Sequence, residues 1–459
     1  MTNRRILFGI IAFGLLLRIL FLVHECNNLS LAESFVVNGE VARNVLNGRG
    51  ISINEDYMRQ VTDLWHAQHR LIDLQDIPPP FVERLKPLYN DEPGYGLLLA
   101  SIWKITGSRR WIYVRVLQVL IDLVMIGFVY AIGFRLGGVH VGVVAAFLYA
   151  AFVPGIELVV RPHRDIWVTF AYIASVLLLM KLNEKDERRK EILYAAVLGI
   201  ATGLTTCMRS TIVVYCIACV LVLFVLKPPR RALLLSSIII GVFVFPVSPL
   251  VIRNFETFNK IMITRGAFWH SFWAGIGQFH NPAGMIEDDQ YISNYFRQLD
   301  STAVYGTPRY EEVLRREALV LVQEHPLWYA STVVRRAGVI LAPKIGRELF
   351  FQKTSIKADT GILNQKVSKM ALLALDGLMV AGLLWGAWLV RLNWRILIIV
   401  SLPLSYTLVT LAPFYVVGRN IMNVYFVTLL FASISAVWLW QKVSGDHAAF
   451  DEQRAEATS

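Results

Sequence analysis

The chain has 459 residues, of which 55% are hydrophobic and 17% charged, with a mean hydropathy of +0.50. A soluble protein of this size needs far more polar surface, so the composition points to a polytopic membrane protein. The formal charge of +11 does not indicate a nucleic-acid partner. The basic residues form no single arm or stripe but recur in short clusters between apolar runs, as topology signals do.

A bilayer core of about 30 Å is crossed by about 20 apolar residues in a helix. The first such segment, residues 6–24, follows Asn3-Arg4-Arg5. Its apolar stretch is too long for a signal peptide and no small-residue cleavage site follows, so it is read as an anchor with a cytoplasmic N-terminus. Next comes AESFVVNGEVARNVLNGRG at 32–50, where Val37, Val41, Val45 and Leu46 fall at helical spacing opposite Glu40, Arg43 and Asn44. This pattern predicts an amphipathic helix lying at the outer membrane surface and ended by Gly48-Arg49-Gly50. Glu33 stands before it at the bundle mouth, where a carboxylate either caps the helix or serves chemistry. The first outer loop, 25–110, is acidic over 25–93 for so basic a protein. Asp91 and Glu92 there precede a Pro-Gly turn and the short apolar helix GYGLLLASIWKI at 94–105.

Further spans are expected near 111–133, 139–157, 166–182, 192–208, 211–226, 232–251, 370–390, 394–412 and 420–441. They give about ten in all, with both chain ends cytoplasmic. The basic connectors Lys181–Lys190, Lys227–Arg231 and Arg391–Arg395 fall on the cytoplasmic side if 252–369 stays outside. The segment 328–342, with Arg335 and Arg336, then reads as an interfacial helix. The expected organisation is an N-terminal membrane module at 1–251, an outer region at 252–369, C-terminal spans at 370–441 and a polar cytoplasmic tail at 442–459.

Asp165 opens a span within RPHRDIWVTF, beside Arg161, His163 and Arg164. An acid at a span end is either simple interface solvation or, among such cations, part of a phosphate or sugar site. Arg209, Arg253, Lys344, Arg347 and Arg419 also fall at outer span ends, where basic residues are normally depleted. A charge inside the bilayer costs about 2.5–3.5 kcal/mol on insertion scales. An anionic lipid-linked phosphate at that surface offsets the cost. The four cysteines, Cys26, Cys207, Cys216 and Cys219, have neither a disulfide nor a zinc spacing. A divalent metal ion on the outer acids stays open, although no His or Cys spacing points to one.

Several motifs occur in a fixed order. They are Ala42-Arg43-Asn44-Val45-Leu46-Asn47-Gly48-Arg49-Gly50, then Pro93-Gly94-Tyr95-Gly96-Leu97-Leu98-Leu99-Ala100, then Asp165, and then Ile252-Arg253-Asn254-Phe255. Asn281-Pro282-Ala283-Gly284 and Arg419 complete the series. In this order the sequence resembles the integral-membrane glycosyltransferases of the GT-C type, the family-39-like enzymes related to protein mannosyltransferases and aminoarabinose transferases. The resemblance implies an all-α bundle bearing large outer-face loops with interfacial helices. It also implies a polyprenyl-phosphate sugar donor and a glycan, lipid or protein acceptor, with the active site on the periplasmic face of a bacterial inner membrane. Many relatives carry an acidic pair eight residues before the matched alanine. That position is Ser34 here, with Glu33 one residue back, so Glu33 or Glu40 becomes the candidate base, with Asp165 as helper. Candidate substrate-binding residues are Asp91, Glu92, His163, Arg164, Arg209, Arg253, Lys344, Arg347 and Arg419. The rival readings are a flippase for lipid-linked sugar, for which Arg115 and Asp122 mark an intramembrane path, and a glycan polymerase or ligase.

Overall fold

A computed structural model of the chain describes residues 2–24, 32–68, 72–78, 84–184, 187–341, 362–416 and 418–444. Lys344 and Arg347 lie outside the described residues. Glu33 and Arg419 have a described helical backbone, but their side chains also lie outside the description.

The described chain is almost wholly helical, an all-α polytopic bundle. Seven helices are long and apolar enough to cross a membrane: α1 (Thr2–His24), α5 (Trp111–Ala151), α7 (Asp165–Asn183), α8 (Arg188–Met208), α10 (Pro229–Phe258), α16 (Trp394–Leu411) and α18 (Tyr425–Ser444). The 41 residues of α5 are two helices joined at Gly137–Gly138, where Gly138 has φ 77° and turns the chain back. Two shorter apolar helices are α9 (Ile212–Leu226) and the 374–390 part of α15 (Ile362–Val390). With α5 counted as two, the described residues hold ten apolar helical segments, as the hydropathy pattern predicts.

Two further regions pack on this bundle. The first holds α2 (Ala32–Leu46), α3 (Glu55–Gln68) and α4 (Gly94–Thr106), with a two-stranded antiparallel pairing of Ser52–Ile53 and Lys86–Pro87. It packs around Tyr57, Trp65, Trp103 and Trp111. The second holds α11 (Phe268–Ile276), α12 (Asp289–Leu299), α13 (Pro308–Glu324) and α14 (Pro326–Leu341), packed around Trp273, Phe296 and Leu314. The short helices α6 (Val153–Val160) and α17 (Gly418–Met422) join spans. The helix predicted at 32–50 forms, with Gly48 and Gly50 at positive φ beyond its end. It does not leave its polar face in water, however. Glu40, Arg43 and Asn44 are buried along with Val41 and Ala42. On α14, Arg336 is likewise buried, donating to the Ala412 and Pro413 carbonyls at 3.3 and 3.1 Å and to Gly275 O. Protein carbonyls accommodate this charge.

Helix contact inside the bundle depends on small residues, since lipid tails supply no hydrophobic drive between helices. Gly199 and Gly203, four residues apart on α8, face Ile239 and Phe243 on α10. A Cβ at Gly199 would stand 2.5 Å from the Ile239 carbonyl oxygen, and one at Gly203 would stand 2.7 Å from that of Phe243. Gly199→Leu is therefore expected to force the pair apart and cost about 1–3 kcal/mol by overpacking. The measurement is the unfolding midpoint in detergent. An unchanged midpoint would mean that the two helices do not meet through this stripe.

Candidate active site

The site forms at one end of the bundle, where five elements meet. The chain enters α4 through Asp91-Glu92-Pro93-Gly94. Gly94 must lack a side chain because α4 starts directly against the Cys207–Met208 backbone at the end of α8. That contact brings Glu92 beside Ser210, whose N–H and hydroxyl donate to Glu92 Oε1 at 3.2 and 3.0 Å. Arg164, just before α7, donates to Glu92 Oε2 at 2.7 Å and also to Asp91. A second guanidinium comes from the chain after α10. There the Gly266 N–H donates to Tyr89 O at 3.0 Å, a side chain at Gly266 would collide with the Tyr89 ring, and Arg265 Nε lies 3.1 Å from Glu92 Oε1.

Asp165 is the second centre. It is fully buried, with Oδ2 3.0 Å from His163 Nδ1 and Oδ1 3.1 Å from Arg209 Nη2. Asn423 lies 3.4 Å from Asp165 Oδ1 and 3.1 Å from the Thr169 hydroxyl. Arg209 also donates to Asn420 Oδ1 at 2.6 Å. Below these groups Tyr172, Tyr215 and Tyr406 stack edge to face, and the Tyr406 hydroxyl donates to Thr211 O at 2.6 Å. A cavity of about 160 Å³ opens here, lined by Glu92, Arg164, Arg209, Arg265, Tyr172 and Tyr406 among others.

The electrostatics are those of a preorganised pair network. Burial pushes the Glu92 carboxyl upward, but Arg265 and Arg164 outweigh it and hold the group well below the usual carboxylate range. Burial also acts against the Arg164 charge, yet Asp91 and Glu92 raise its affinity for the proton above the ordinary arginine value. Because the folded Glu92 is depressed, its contribution to stability is present above the ordinary carboxyl pKa and is lost only as pH falls through the lower folded value. Such a carboxylate makes a poor proton acceptor and a good anchor for cations.

The structure thus brings Asp91, Glu92, His163, Arg164, Asp165 and Arg209 into one cluster. It does not bring Glu40 or Arg253 there. Glu40 accepts from Arg43 at 2.7 and 2.8 Å, from Asn44 at 2.9 Å and from the Asn54 N–H at 3.2 Å, and so ties α2 to the chain beside it. Arg253 donates to the carbonyls of Leu88 at 2.9 Å and Ile51 at 2.8 Å, so it fastens the strand pair to the end of α10. Sequence reasoning missed Arg265, Ser210, Tyr172, Tyr406, Asn420 and Asn423. The run GRNIMN at 418–423 was a signal for the two asparagines, since amides are costly in an apolar span without partners. Among the described residues no group of three or more His, Cys, Asp or Glu is arranged to hold a metal ion. The cluster's carboxylates face guanidiniums, whose charge opposes a second cation at the same oxygens.

Residues 86–252 match the family model described as dolichyl-phosphate-mannose-protein mannosyltransferase, a stretch that contains all six clustered residues. The resemblance to that group is therefore met over this part of the chain. No curated protein matches the sequence. In fold the chain is similar to the oligosaccharyltransferase of Archaeoglobus fulgidus. Against its apo form, identity is 14% and the TM-score 0.49, covering 99% of this chain and 54% of that one. Against the archaeal oligosaccharyltransferase AglB from Archaeoglobus fulgidus in complex with an inhibitory peptide and a dolichol-phosphate, identity is 14% and the TM-score 0.48, covering 97% and 52%. The chain spans about half the length of these structures.

Proposed function

We propose that the protein is a membrane glycosyltransferase that moves a sugar from a polyprenyl-phosphate donor to an acceptor hydroxyl on the non-cytoplasmic face, with inversion. The observation that carries this reading is the buried cluster of carboxylates and guanidiniums at the bundle end opposite the basic connectors. Asp165 and Lys181 stand at opposite ends of α7, roughly 24 Å apart at 1.5 Å per residue. Basic connectors are retained in the cytoplasm, so the cluster faces the other side.

In the reaction the acceptor oxygen attacks the anomeric carbon. The bond from that carbon to the phosphate oxygen breaks and its electron pair leaves with prenyl phosphate, a stable anion that needs no general acid. Arg209 and Arg265, which line the cavity, meet that charge as it develops. Asp165 and Glu92 act by aiming these arginines. The hydroxyl proton goes to a carboxylate, for which Glu33 at the start of α2 is the candidate, because the acids of the cluster are engaged by cations. A positioned base contributes about 10²–10⁴-fold.

The test is to reconstitute the chain in liposomes with a panel of prenyl-phosphate hexoses and pentoses and to determine products by NMR. The expected result is a new glycosidic bond of anomeric configuration opposite to the donor's, with Glu33→Gln slower by about 10²–10⁴-fold. Lipid-linked sugar crossing the bilayer with no bond made would instead establish a flippase. A retained anomer would replace direct displacement by a covalent intermediate.

A further inference from the structure

At the far end of the bundle from the charged cluster, a cavity of about 460 Å³ lies between the starts of α8 and α10. The two helices run parallel, because Gly199 meets Ile239, Gly203 meets Phe243 and Glu191 meets Arg231, always 40 residues apart. Arg188 and Arg230 therefore stand at nearly the same depth. From Arg188 to Arg209 is roughly 30 Å at 1.5 Å per residue.

Arg188, Arg230 and Arg231 line this cavity, with Glu191 as the one carboxylate among its lining residues. Glu191 is buried and its charge is met twice, by Lys227 Nζ at 2.9 Å and Arg231 Nε at 2.6 Å. It thereby fixes Arg231 at the wall and leaves the opening with a net positive charge. Arg188 and Arg230 are exposed, and among the described residues no acid engages either. Ile192 and Leu234, four residues further along and so on the same helix faces, line the cavity too. They are 37% and 38% exposed, and their neighbours Leu193 and Leu233 are 58% and 60% exposed. The opening is cationic at its rim and apolar toward the middle of the spans.

We infer that this cavity binds an anionic phospholipid, with its phosphate on Arg188 and Arg230 and the head of its acyl chains against Ile192 and Leu234. The apolar wall does not choose the occupant, since a tail gains no hydrophobic drive on leaving other tails. The head group does. Guanidiniums present paired N–H donors that match phosphate oxygens, and a basic pocket between spans collects anionic head groups. A zwitterionic lipid brings an ammonium along with the same phosphate, and the arginines repel it. A soluble phosphate satisfies the rim but leaves Ile192 and Leu234 uncovered. A lipid anion covers both without leaving the bilayer.

The experiment titrates the full chain, in mild detergent, with phosphatidylglycerol or phosphatidylethanolamine of identical acyl chains and reads bound lipid by native mass spectrometry. The tightest site is expected to hold phosphatidylglycerol at least tenfold more strongly than phosphatidylethanolamine. Arg188→Gln with Arg230→Gln should weaken phosphatidylglycerol about 30-fold, from the usual gain per basic residue at an anionic surface. The unfolding midpoint should stay put, because neither arginine is paired with an acid among the described residues. Arg391→Gln with Arg395→Gln removes as many charges from the α15–α16 connector and is expected to change binding less than twofold. Equal weakening by both pairs overturns the inference, since a basic surface would then attract the lipid without a site. Equal affinity for the two lipids overturns it as well. Displacement by inorganic phosphate at matched ionic strength does so too, and gives the cavity to a soluble anion.

Discussion

Arg209→Gln is expected to lower kcat/KM for sugar transfer by about 10²–10³-fold, the loss seen when one preorganised donor to a developing anion is removed. The guanidinium spans two partners, Asp165 at 3.1 Å and Asn420 at 2.6 Å, and still lines the cavity. Arg209→Lys keeps the charge but replaces the broad planar guanidinium by a compact, strongly hydrated ammonium, so it should recover only part of the loss. Asp165→Asn should be milder in kcat, because it loosens the arginine without removing it. The double variant should then be no worse than Arg209→Gln alone, since groups acting as a unit are not additive. If the two losses multiplied, Asp165 would have a separate role on the reacting atoms. Asp165 is fully buried, so every variant needs its unfolding midpoint measured alongside.

These groups differ in how legible they are. Span positions were readable because the length of an apolar run is a local property, and the described helices follow the hydropathy pattern even to the turn at Gly137–Gly138. His163, Arg164 and Asp165 were readable as a short charged run at a span end. Arg265 and Ser210 were not, because what makes them part of the site is contact with Glu92 across long stretches of chain. Periodicity likewise gave the two faces of α2 without saying that both would be covered. Its polar side is held by bonds from Glu40 to residues as far away as Asn54. The Gly199-Ile-Ala-Thr-Gly203 spacing was present to be read, since only a close helix neighbour gives such glycines a purpose. Arg18 was ambiguous in principle. An arginine in an apolar span either snorkels to the surface or finds an acid inside, and hydropathy does not tell the two apart.

Arg18 finds an acid, and this leads to the other large effect. Its Nε lies 2.6 Å from Asp122 Oδ2, with both side chains at most 2% exposed. Its Nη1 donates to Gly14 O at 3.2 Å and Ala150 O at 2.5 Å, while the Tyr149 hydroxyl donates to Asp122 Oδ1 at 3.0 Å. One network thus ties α1 to both halves of α5. Removing one partner leaves the other charge buried and unpaired, so Asp122→Leu is expected to destabilise by about 3–5 kcal/mol. Arg18→Met with Asp122→Leu removes both charges and should recover most of that, because well-packed apolar replacements of a buried pair are often neutral. The measurement is denaturant unfolding in detergent, accompanied by a transfer assay. A path for substrate through the bilayer needs these charges to be reachable, whereas a scaffold clamp needs them closed off. The neutral double variant should therefore fold and still transfer sugar. If it folds but loses transfer while Gly199→Leu keeps it, Arg18 and Asp122 belong to the substrate route and the clamp reading fails.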